Sequence, residues 1–383
     1  MSEELLDVVI IGAGQAGLTA AYWLKHRGLE PWRDFVVLDR NEGPGGAWRH
    51  RWPELTLGKA HGIHDLPGMK LGEPDPNEPA AVVVTRYYGE YEQKFGLPIE
   101  RPVKVDEVRS FDPGSKAADA ASSSAADAAS SNPHTAQDRV DYSAPLEVRA
   151  GDRVWRTKLV INATGTWTKP FVPYAPGAEQ FEGLQLRTVD YWCSDDFTGK
   201  HVVVVGGGMS AVQFILMLEK AGATTSWSTR REPDWVEDPF DERWGVAVEE
   251  RVDARASQGL VPHSVVRNTG IPPWPEYVAA RDRGRLVSDG PIDHIEKDAV
   301  VFESGKRVDT DVILWATGFR PDLDHLAPLH LREPGGGVKT TDVVKVNRDP
   351  RILLVGYGAS ASTVGATRAG RRAALTAIER LEA

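Results

Sequence analysis

The sequence predicts an α/β fold with two Rossmann-like nucleotide-binding domains, because the same order of elements occurs twice along the chain. An apolar strand is followed by a glycine-rich turn, a helix and a second apolar strand, first within residues 7–38 and again within residues 201–229. A right-handed crossover makes the two strands of such a unit parallel. A chain of 383 residues has room for two or three domains, so each unit can belong to a domain of its own.

Each element of these units has its own local signal. The helix after Gln15 has apolar side chains at helical spacing, and Gly28 and Gly222 stand where the two helices should end. The first unit is predicted to comprise a strand at 7–11, a helix at 15–27 and a strand at 35–38. The second is predicted to comprise a strand at 201–205, a helix at 212–221 and a strand at 224–229.

Three further segments complete the predicted architecture. Residues 103–111 and 146–161 have the pattern of a β-meander, which residues 113–138 interrupt. That interruption is rich in Ala and Ser and has almost nothing to bury, so it is predicted to be a disordered loop. A strand at 352–355 and an amphipathic helix at 364–381 follow near the C-terminus.

The composition excludes several classes of function. With 41% hydrophobic and 26% charged residues, the chain has the composition of an ordinary soluble globular protein. Its net charge of -10 provides no basic surface for a phosphate backbone, so nucleic acid is not an expected partner. The acidic start and the lack of a long apolar run predict a cytoplasmic protein with neither a signal peptide nor a membrane span. Cys193 is the only cysteine, which excludes an internal disulfide, a cysteine zinc cluster and a redox-active C-x-x-C pair.

The first glycine-rich turn, Gly12-Ala-Gly14-Gln-Ala-Gly17, has the features of a dinucleotide site. It follows a strand and opens a helix, so its glycines allow a tight turn and close approach of a pyrophosphate to the N–H groups at the helix N-terminus. Asp39 ends the next strand, where a carboxylate can accept a hydrogen bond from a free ribose 2′-OH such as that of FAD. The alternative is a glycine turn that serves packing only.

The second glycine-rich turn, Gly206-x-Gly208-x-x-Ala211, fits the same form but is followed by different chemistry. Its second strand leads into Arg230-Arg231 instead of an acid. Two guanidinium groups can bind a 2′-phosphate, which a carboxylate would repel, so NADPH is predicted over NADH. Alternatively, the two arginines are solvated or form ion pairs with Glu232 and Asp234.

Three shorter motifs have less meaning on their own. Gly45-Gly-Ala-Trp48 offers a flexible turn and a flat aromatic ring that could pass under a flavin, or else a surface loop with a core tryptophan. Ala163-Thr-Gly165 and Ala316-Thr-Gly318 each end an apolar strand. We refer to these two segments as the ATG ends.

A dense polar group follows Trp48. It consists of His50, His61 and His64 with Arg49 and Arg51. The spacing lacks the i, i+4 pairing of helical zinc sites, so solvated or phosphate-facing side chains are predicted there and no metal.

Taken together, these motifs resemble the two-dinucleotide-binding-domain flavoproteins, and more narrowly the flavin-containing monooxygenase family of the single-component class B type, which uses FAD and NADPH. The resemblance covers nearly the whole chain. The family fingerprint F-x-G-x-x-x-H-x-x-x-Y reads Phe181-x-Gly183-x-x-x-Arg187-x-x-x-Tyr191, with arginine in place of histidine. Tyr191 resembles the sulfide- and amine-oxidising branch, since the lactone-forming branch carries tryptophan there. Disulfide reductases share both glycine turns but need a cysteine pair, which this sequence lacks.

The resemblance implies a function. An NADPH-dependent flavoprotein monooxygenase would use dioxygen to oxygenate a small-molecule substrate through a flavin C4a-hydroperoxide, with sulfides and amines as substrates and ketones as a further class. The alternative is an NAD(P)H oxidase or dehydrogenase that passes electrons from FAD to oxygen, a quinone or a protein partner. A flavin-binding redox sensor is a third class, which the intact second nucleotide site argues against. The sequence leaves open whether the protein is a homodimer.

Two departures from the family pattern bear on catalysis. In the family an asparagine near the flavin helps to hold the hydroperoxide, but residues 53–61 contain none, and Gly58 or Lys59 stands near its place. Arg187 either bridges the nicotinamide cofactor at the domain junction or pairs with an acid such as Asp190. A poorly protected hydroperoxide would be lost as hydrogen peroxide, as in the oxidase alternative.

The resemblance also implies domain boundaries and cofactor contacts. The FAD-binding domain would comprise residues 1–168 and 316–383, and the NADPH-binding domain residues 169–315. The implied FAD contacts are Gly12, Gly14, Gln15, Ala16, Gly17, Asp39, Arg40, Gly46, Trp48, Val105, Thr164, Gly165, Gly318 and Gly356. The implied NADPH contacts are Gly206, Gly208, Ser210, Ala211, Arg230 and Arg231.

Overall fold

The computed structural model describes residues 5–60, 63–111, 143–236, 252–262 and 270–383. The loop predicted at 113–138 and His61 lie outside these residues. The strands are, in chain order, β1 (Leu5–Ile11), β2 (Phe35–Leu38), β3 (Ile99–Glu100), β4 (Glu107–Ser110), β5 (Leu146–Ala150), β6 (Arg153–Asn162), β7 (Leu184–Arg187), β8 (His201–Val205), β9 (Thr224–Ser228), β10 (Ile292–Ile295), β11 (Ala299–Phe302), β12 (Arg307–Asp309), β13 (Val312–Trp315), β14 (Thr340–Thr341), β15 (Lys345–Val346) and β16 (Ile352–Leu354).

The longer helices are α1 (Gln15–His26), α2 (Ala80–Phe95), α3 (Met209–Lys220), α4 (Pro275–Asp282) and α5 (Thr363–Glu382). Short 3₁₀ turns lie at Gly46–His50, Leu57–Lys59, Ala178–Gln180, Ser194–Phe197, Asp324–Leu329 and Gly358–Ala361. Among the described residues, no helix combines the length and the apolar character needed to cross a bilayer. Both predicted strand–turn–helix–strand units are present, although α3 begins at Met209 rather than Val212 because it starts directly after Gly208.

Nine strands form one large sheet around the first unit. Its order is β14-β15-β16-β6-β1-β2-β3, and β4 and β5 join it through the pairing of β5 with β6. The central pairs, β16 with β6, β6 with β1 and β1 with β2, are parallel. By contrast, β4, β5 and β6 pair antiparallel and form the predicted β-meander. The predicted α/β class is therefore confirmed.

The second unit builds a separate parallel sheet of four strands, in the order β7-β13-β8-β9. In β8, Val202, Val203 and Val204 have no exposed surface, as expected for a parallel strand that is covered on both faces. A three-stranded antiparallel sheet, β10-β11-β12, accompanies it. The two glycine turns thus lie on different sheets, each at the carboxyl end of a parallel strand, which is where open α/β sheets bind ligands.

The helix α5 returns to the first unit and packs on α1. Gly370 permits this contact, since a side chain there would place its Cβ 2.5 Å from the backbone oxygen of Ala16. The side-chain amide of Gln15 donates to the backbone oxygen of Thr363 at 2.5 Å and to Oγ1 of Thr367 at 2.8 Å. The N-termini of α1 and α5 therefore lie together beside the first glycine turn.

Candidate functional site

The first glycine turn has open space at Gly14 but not at its other two glycines. Gly12 has a φ of +103°, and its N–H donates to the backbone oxygen of Leu38 at 2.7 Å. A Cβ on Gly12 would lie 2.5 Å from the backbone oxygen of Ala163, and a Cβ on Gly17 would overlap the backbone oxygen of Gly12. At Gly14 a Cβ would meet no atom within 4 Å. The turn is thus closed toward the protein and open where α1 begins, as a pyrophosphate site requires.

The second glycine turn is built in the same way. Gly206 has a φ of +140°, and its N–H donates to the backbone oxygen of Ser228 at 2.9 Å. A Cβ on Gly206 would overlap the backbone oxygen of Ala316. The indole Nε1 of Trp227 donates to the backbone oxygen of Gly206 at 2.7 Å. The other predicted NADPH contacts of this turn lie at the start of α3 and are Gly208, Ser210 and Ala211.

A cleft of about 980 Å³ extends from the first glycine turn. The predicted FAD contacts that line it are Gly12, Gly14, Gln15, Ala16, Asp39, Arg40, Gly46, Trp48, Val105, Thr164, Gly165 and Gly356. Two others are not on its walls: Gly17 is packed behind Gly12, and Gly318 lies next to Phe319, which does line the cleft. The structure therefore brings residues from distant parts of the sequence to one cavity.

On one side of the glycine turn, a largely buried ion-pair network holds Asp39. Nε of Arg101 donates to Oδ2 of Asp39 at 2.8 Å, and both Nη atoms of Arg101 donate to the carboxylate of Glu92 at 2.7 Å. Burial lowers the pKa of Arg101, but the bonds to Glu92 and Asp39 outweigh that effect and raise it overall, while burial raises the pKa of Glu92. Arg101 thus holds Asp39 at the cleft wall and is itself held by Glu92, and no sequence motif indicated either residue.

The opposite side of the glycine turn is where the two sheets meet, and we call it the junction. Because β2 and β6 flank β1 on opposite sides, residues that follow β6 lie away from Asp39. Trp167, after the first ATG end, stacks on Phe319, after the second, with ring centroids 5.1 Å apart. Trp48 and Arg187 line the same cleft. The junction therefore unites the GGAW segment, both ATG ends and the fingerprint.

Arg187 is paired with Asp190. Its Nε and Nη2 donate to the two carboxylate oxygens of Asp190 at 2.7 and 2.8 Å, and its backbone N–H donates to the same carboxylate at 2.9 Å. The hydrogen bonds from its side chain raise the pKa of Arg187 above its usual value. Of the two predicted roles, the structure contains the pair with Asp190, and it also places Arg187 on the wall of the cleft.

Tyr191, the last residue of the fingerprint, connects the second unit to the segment after GGAW. Its hydroxyl donates to Oε2 of Glu54 at 2.8 Å. The same carboxylate accepts from the backbone N–H of Ser194 at 3.1 Å and from its hydroxyl. The buried ring of Tyr191 packs against Trp52, Phe197 and Phe214. Sequence reasoning missed Glu54, which belongs to no motif and lies 137 positions from Tyr191.

The structure does not bring Gly58 and Lys59 to the cleft. Gly58 donates its N–H to the backbone oxygen of Pro76 at 2.8 Å, and the backbone oxygen of Lys59 accepts from Nε2 of Gln213 in α3 at 3.3 Å. The bond from Gln213 holds the Leu57–Lys59 turn against α3. Lys59 lines a smaller cavity of about 220 Å³, which α3 and α4 also border.

Arg230 and Arg231 are exposed directly after β9. Within the described ranges of the chain, no ion pair joins either arginine to Glu232 or Asp234. The two guanidinium groups therefore face solvent near the second glycine turn, whose Gly206 is bonded to Ser228 at the end of β9.

The polar group after GGAW is partly described. Nε2 of His50 lies 2.7 Å from Oδ1 of Asn41, and burial, followed by the charges of Arg49 and Arg40, lowers the pKa of His50. In the part of the chain that the structure describes, no three or more His, Cys, Asp or Glu residues are grouped so as to hold a metal ion. Arg51 belongs to the same segment and lines the cleft.

Comparison with known families gives a match over most of the chain. The profile of the pyridine nucleotide-disulphide oxidoreductase family matches residues 6–373. That range contains both glycine turns, both ATG ends and the fingerprint.

Known monooxygenases are similar in structure and in sequence. A flavin-containing monooxygenase from Stenotrophomonas maltophilia has a TM-score of 0.76 and 31% identity, and the match covers 99% of each chain. An indole-3-pyruvate monooxygenase from Oryza sativa subsp. japonica is 26% identical over 357 residues, which cover 85% of this chain and 79% of that protein. A trimethylamine monooxygenase from Pelagibacter ubique is 26% identical over 224 residues, 57% of this chain and 49% of that protein.

Proposed function

The chain belongs to the pyridine nucleotide-disulphide oxidoreductase family, and we propose that within this family it is an NADPH-dependent monooxygenase that oxygenates small sulfides and amines. It is an FAD-dependent NAD(P)H oxidoreductase, similar over its whole length to a flavin-containing monooxygenase. Its reactants are therefore a small molecule and dioxygen. Beyond this reaction class, we propose that the substrates are sulfides and amines and that NADPH is selected over NADH.

The observation that carries the proposal is the cleft that joins the first glycine turn to the second sheet. Gly14 belongs to the first unit and Asp39 directly follows it, whereas Arg187 ends β7 and Phe319 follows β13 of the second sheet. All four residues line one cavity. A dinucleotide bound at Gly14 would extend from Asp39 to the junction. A second dinucleotide at Gly206 would approach the same junction from the other sheet. We therefore assign residues 1–168 and 316–383 to FAD binding and residues 169–315 to NADPH binding.

The described residues fit FAD. The open space at Gly14 and the start of α1 suit its pyrophosphate, and the buried carboxylate of Asp39 suits a ribose hydroxyl. Val105 lines the cleft on the side where the adenine would be held. When bound, FAD would carry electrons from NADPH to dioxygen and one oxygen atom to the substrate.

The residues at the junction would exclude water and admit a soft nucleophile. Trp48, Trp167 and Phe319 provide an aromatic wall. The desolvation cost of binding against such a wall is small for a neutral thioether or amine and large for a charged molecule. Cys193 is the only cysteine of the sequence, so the chain has no cysteine pair with which to reduce a disulfide.

A specific observation favours a second candidate, an NAD(P)H oxidase. The side-chain donors of Arg187 that pair with Asp190 are not free to hold the nicotinamide cofactor. A junction that releases this cofactor early would admit water, and oxygen would then leave as hydrogen peroxide. The two candidates differ in where the electrons of NADPH go.

The test is the coupling between NADPH consumption and product. FAD-loaded protein is mixed with NADPH and air, with and without methyl phenyl sulfide or trimethylamine, and the sulfoxide, the N-oxide and hydrogen peroxide are quantified. We expect oxygenated product in proportion to the NADPH consumed, with peroxide falling as the nucleophile is added. If all the NADPH consumed appears as peroxide whatever nucleophile is offered, the oxidase candidate is correct and the monooxygenase proposal is wrong.

A further inference from the structure

Arg51 is a charged residue of the cleft that pairs with no acid among the residues that the structure describes. Its guanidinium carbon lies 4.0 Å from the ring centroid of Trp167 and 5.6 Å from that of Trp48. Its Nε is buried and makes no hydrogen bond within the described residues. Burial lowers the pKa of Arg51 to about 10, so the group still carries its charge at neutral pH. A desolvated cation without a counter-ion is costly unless an anion comes from elsewhere.

Three of the acids that line the same cleft are engaged with other residues. Asp39 accepts from Arg101, Asp322 from Thr168 and Asp324 from Lys169. Across the described ranges, no ion pair joins Arg51 to an acid. The charge of Arg51 is therefore available to a ligand.

The position of Arg51 indicates which ligand. Trp167 and Trp48 approach its guanidinium, so an acceptor must reach the N–H groups that lie in the guanidinium plane. The stack of Trp167 on Phe319 places Arg51 at the junction, where the two sheets meet. In the proposed function this is where bound FAD receives electrons. The group that gains negative charge beside Arg51 is then the flavin ring itself.

We propose that Arg51 stabilises the reduced, anionic flavin and thereby raises the reduction potential of the bound FAD. The oxidised flavin ring is neutral, so the positive charge favours the reduced form selectively. The inference rests on the FAD-binding part of the proposed function and is independent of the substrate that is oxygenated.

The experiment measures the two-electron reduction potential of the FAD-loaded protein by equilibration with a reference dye. In Arg51→Gln we expect the ratio of reduced to oxidised flavin at a given potential to fall about tenfold, which corresponds to a potential about 30 mV lower. Arg51→Lys keeps the charge but not the planar donors, so a smaller shift in the same direction is expected. This variant also serves if Arg51→Gln does not retain FAD.

Arg371→Gln is the matched control. The guanidinium carbon of Arg371 also lies over a tryptophan, 4.7 Å from the ring centroid of Trp23, but the residue is exposed and does not line the cleft. The potential of this variant should equal that of the wild type. An equal shift in Arg371→Gln and Arg51→Gln would overturn the proposal, since it would show a general effect of losing a surface cation.

Two further outcomes are decisive. If Arg51 only supported the shape of the site, Arg51→Gln would weaken the binding of oxidised FAD and of reduced FAD by the same factor. The reduction potential would then stay unchanged, and this outcome would refute the proposal. An unchanged potential together with a raised KM for NADPH also refutes it and assigns Arg51 to the nicotinamide cofactor. A wild type that releases only peroxide, while Arg51→Gln still lowers the potential, would refute the proposed function and leave this inference standing.

Discussion

The two glycine turns are built alike, but the residues that follow them are held very differently. In each turn the first glycine has a positive φ and is closed by the ATG end of a neighbouring strand. After the first unit, Asp39 is buried and is bonded to Arg101, which is itself bonded to Glu92. After the second unit, Arg230 and Arg231 are exposed. The shared backbone geometry suits any pyrophosphate, and we propose that the residues that follow distinguish the two nucleotides.

This difference is consistent with the different times for which the two cofactors stay bound. If FAD remains in place from one turnover to the next, a network that fixes Asp39 would add to its retention. NADPH must enter and leave in every cycle, and exposed arginines can bind a phosphate without burying it. We therefore regard the first unit as preorganised and the second as open to exchange.

The largest effect is expected from Arg101→Met, which removes the cation of the buried network. Two carboxylates, those of Asp39 and Glu92, would lose their partner, so we expect the free energy of unfolding to fall by about 3–5 kcal/mol and FAD content to fall with it. Urea unfolding and flavin absorbance measure the two effects. Arg230→Met, in the exposed counterpart, should change stability by less than about 0.5 kcal/mol. Equal losses in the two variants would contradict the contrast between the units.

The same variant should show a defined dependence on pH. Burial already raises the pKa of Glu92, and without Arg101 that pKa should rise further above its unfolded value in the folded variant. A raised carboxyl pKa means that the folded state binds more protons, so stability is lost as pH rises through that pKa. The deficit of Arg101→Met should therefore be largest at neutral pH and shrink as the pH approaches about 4. A deficit that grows on acidification would show that the carboxylates are not buried as described.

The second effect compares Gly12→Ala with Gly206→Ala. Each alanine would adopt a positive φ and push its Cβ against the backbone oxygen of Ala163 or Ala316. We expect Gly12→Ala to weaken FAD binding by about 100-fold, or about 3 kcal/mol. Gly206→Ala should keep its flavin and lose reduction by NADPH to a similar degree. Flavin content and anaerobic reduction separate the two, and loss of FAD from both variants would show that the turns do not act independently.

The sequence predicted both of these turns because each depends on residues that are close together in the chain. A strand, three glycines and a helix define the turn, and they occupy fewer than about thirty residues. The networks around the turns were not predictable, since they depend on residues far apart. Arg101 lies 62 positions from Asp39, and Glu54 lies 137 positions from Tyr191. A sequence motif contains no signal for contacts between residues that are so far apart in the chain.

The surroundings of Arg51 were not predictable for the same reason. The sequence places Arg51 among histidines and another arginine, which is equally consistent with a solvated segment. Its distinguishing features are the stack on Trp167 and the engagement of Asp322 and Asp324 by other residues. Each of these depends on segments more than a hundred positions away.

The third effect tests the choice of nucleotide at the second turn. Arg230→Ala combined with Arg231→Ala should raise the KM for NADPH by about 30-fold, equivalent to about 2 kcal/mol, because the 2′-phosphate loses both guanidinium partners. The KM for NADH should change far less, since NADH lacks that phosphate. Steady-state kinetics with both nucleotides provide the comparison. Equal increases for the two nucleotides would refute the assignment of these arginines to the 2′-phosphate.

The smallest effect concerns the link between the units and is best read from a matched pair of tyrosines. Tyr191 and Tyr277 are both buried in the same apolar cluster, but the hydroxyl of Tyr191 donates to Glu54, whereas that of Tyr277 has no hydrogen-bond partner within the described residues. Tyr191→Phe should lower the free energy of unfolding by about 1 kcal/mol, a modest loss because Ser194 still donates to Glu54. Tyr277→Phe removes a buried hydroxyl that gains little from the fold, so stability should stay the same or rise slightly. Urea unfolding of both variants gives the comparison. Equal destabilisation would mean that ring packing alone, and not the bond to Glu54, joins the fingerprint to the segment after GGAW.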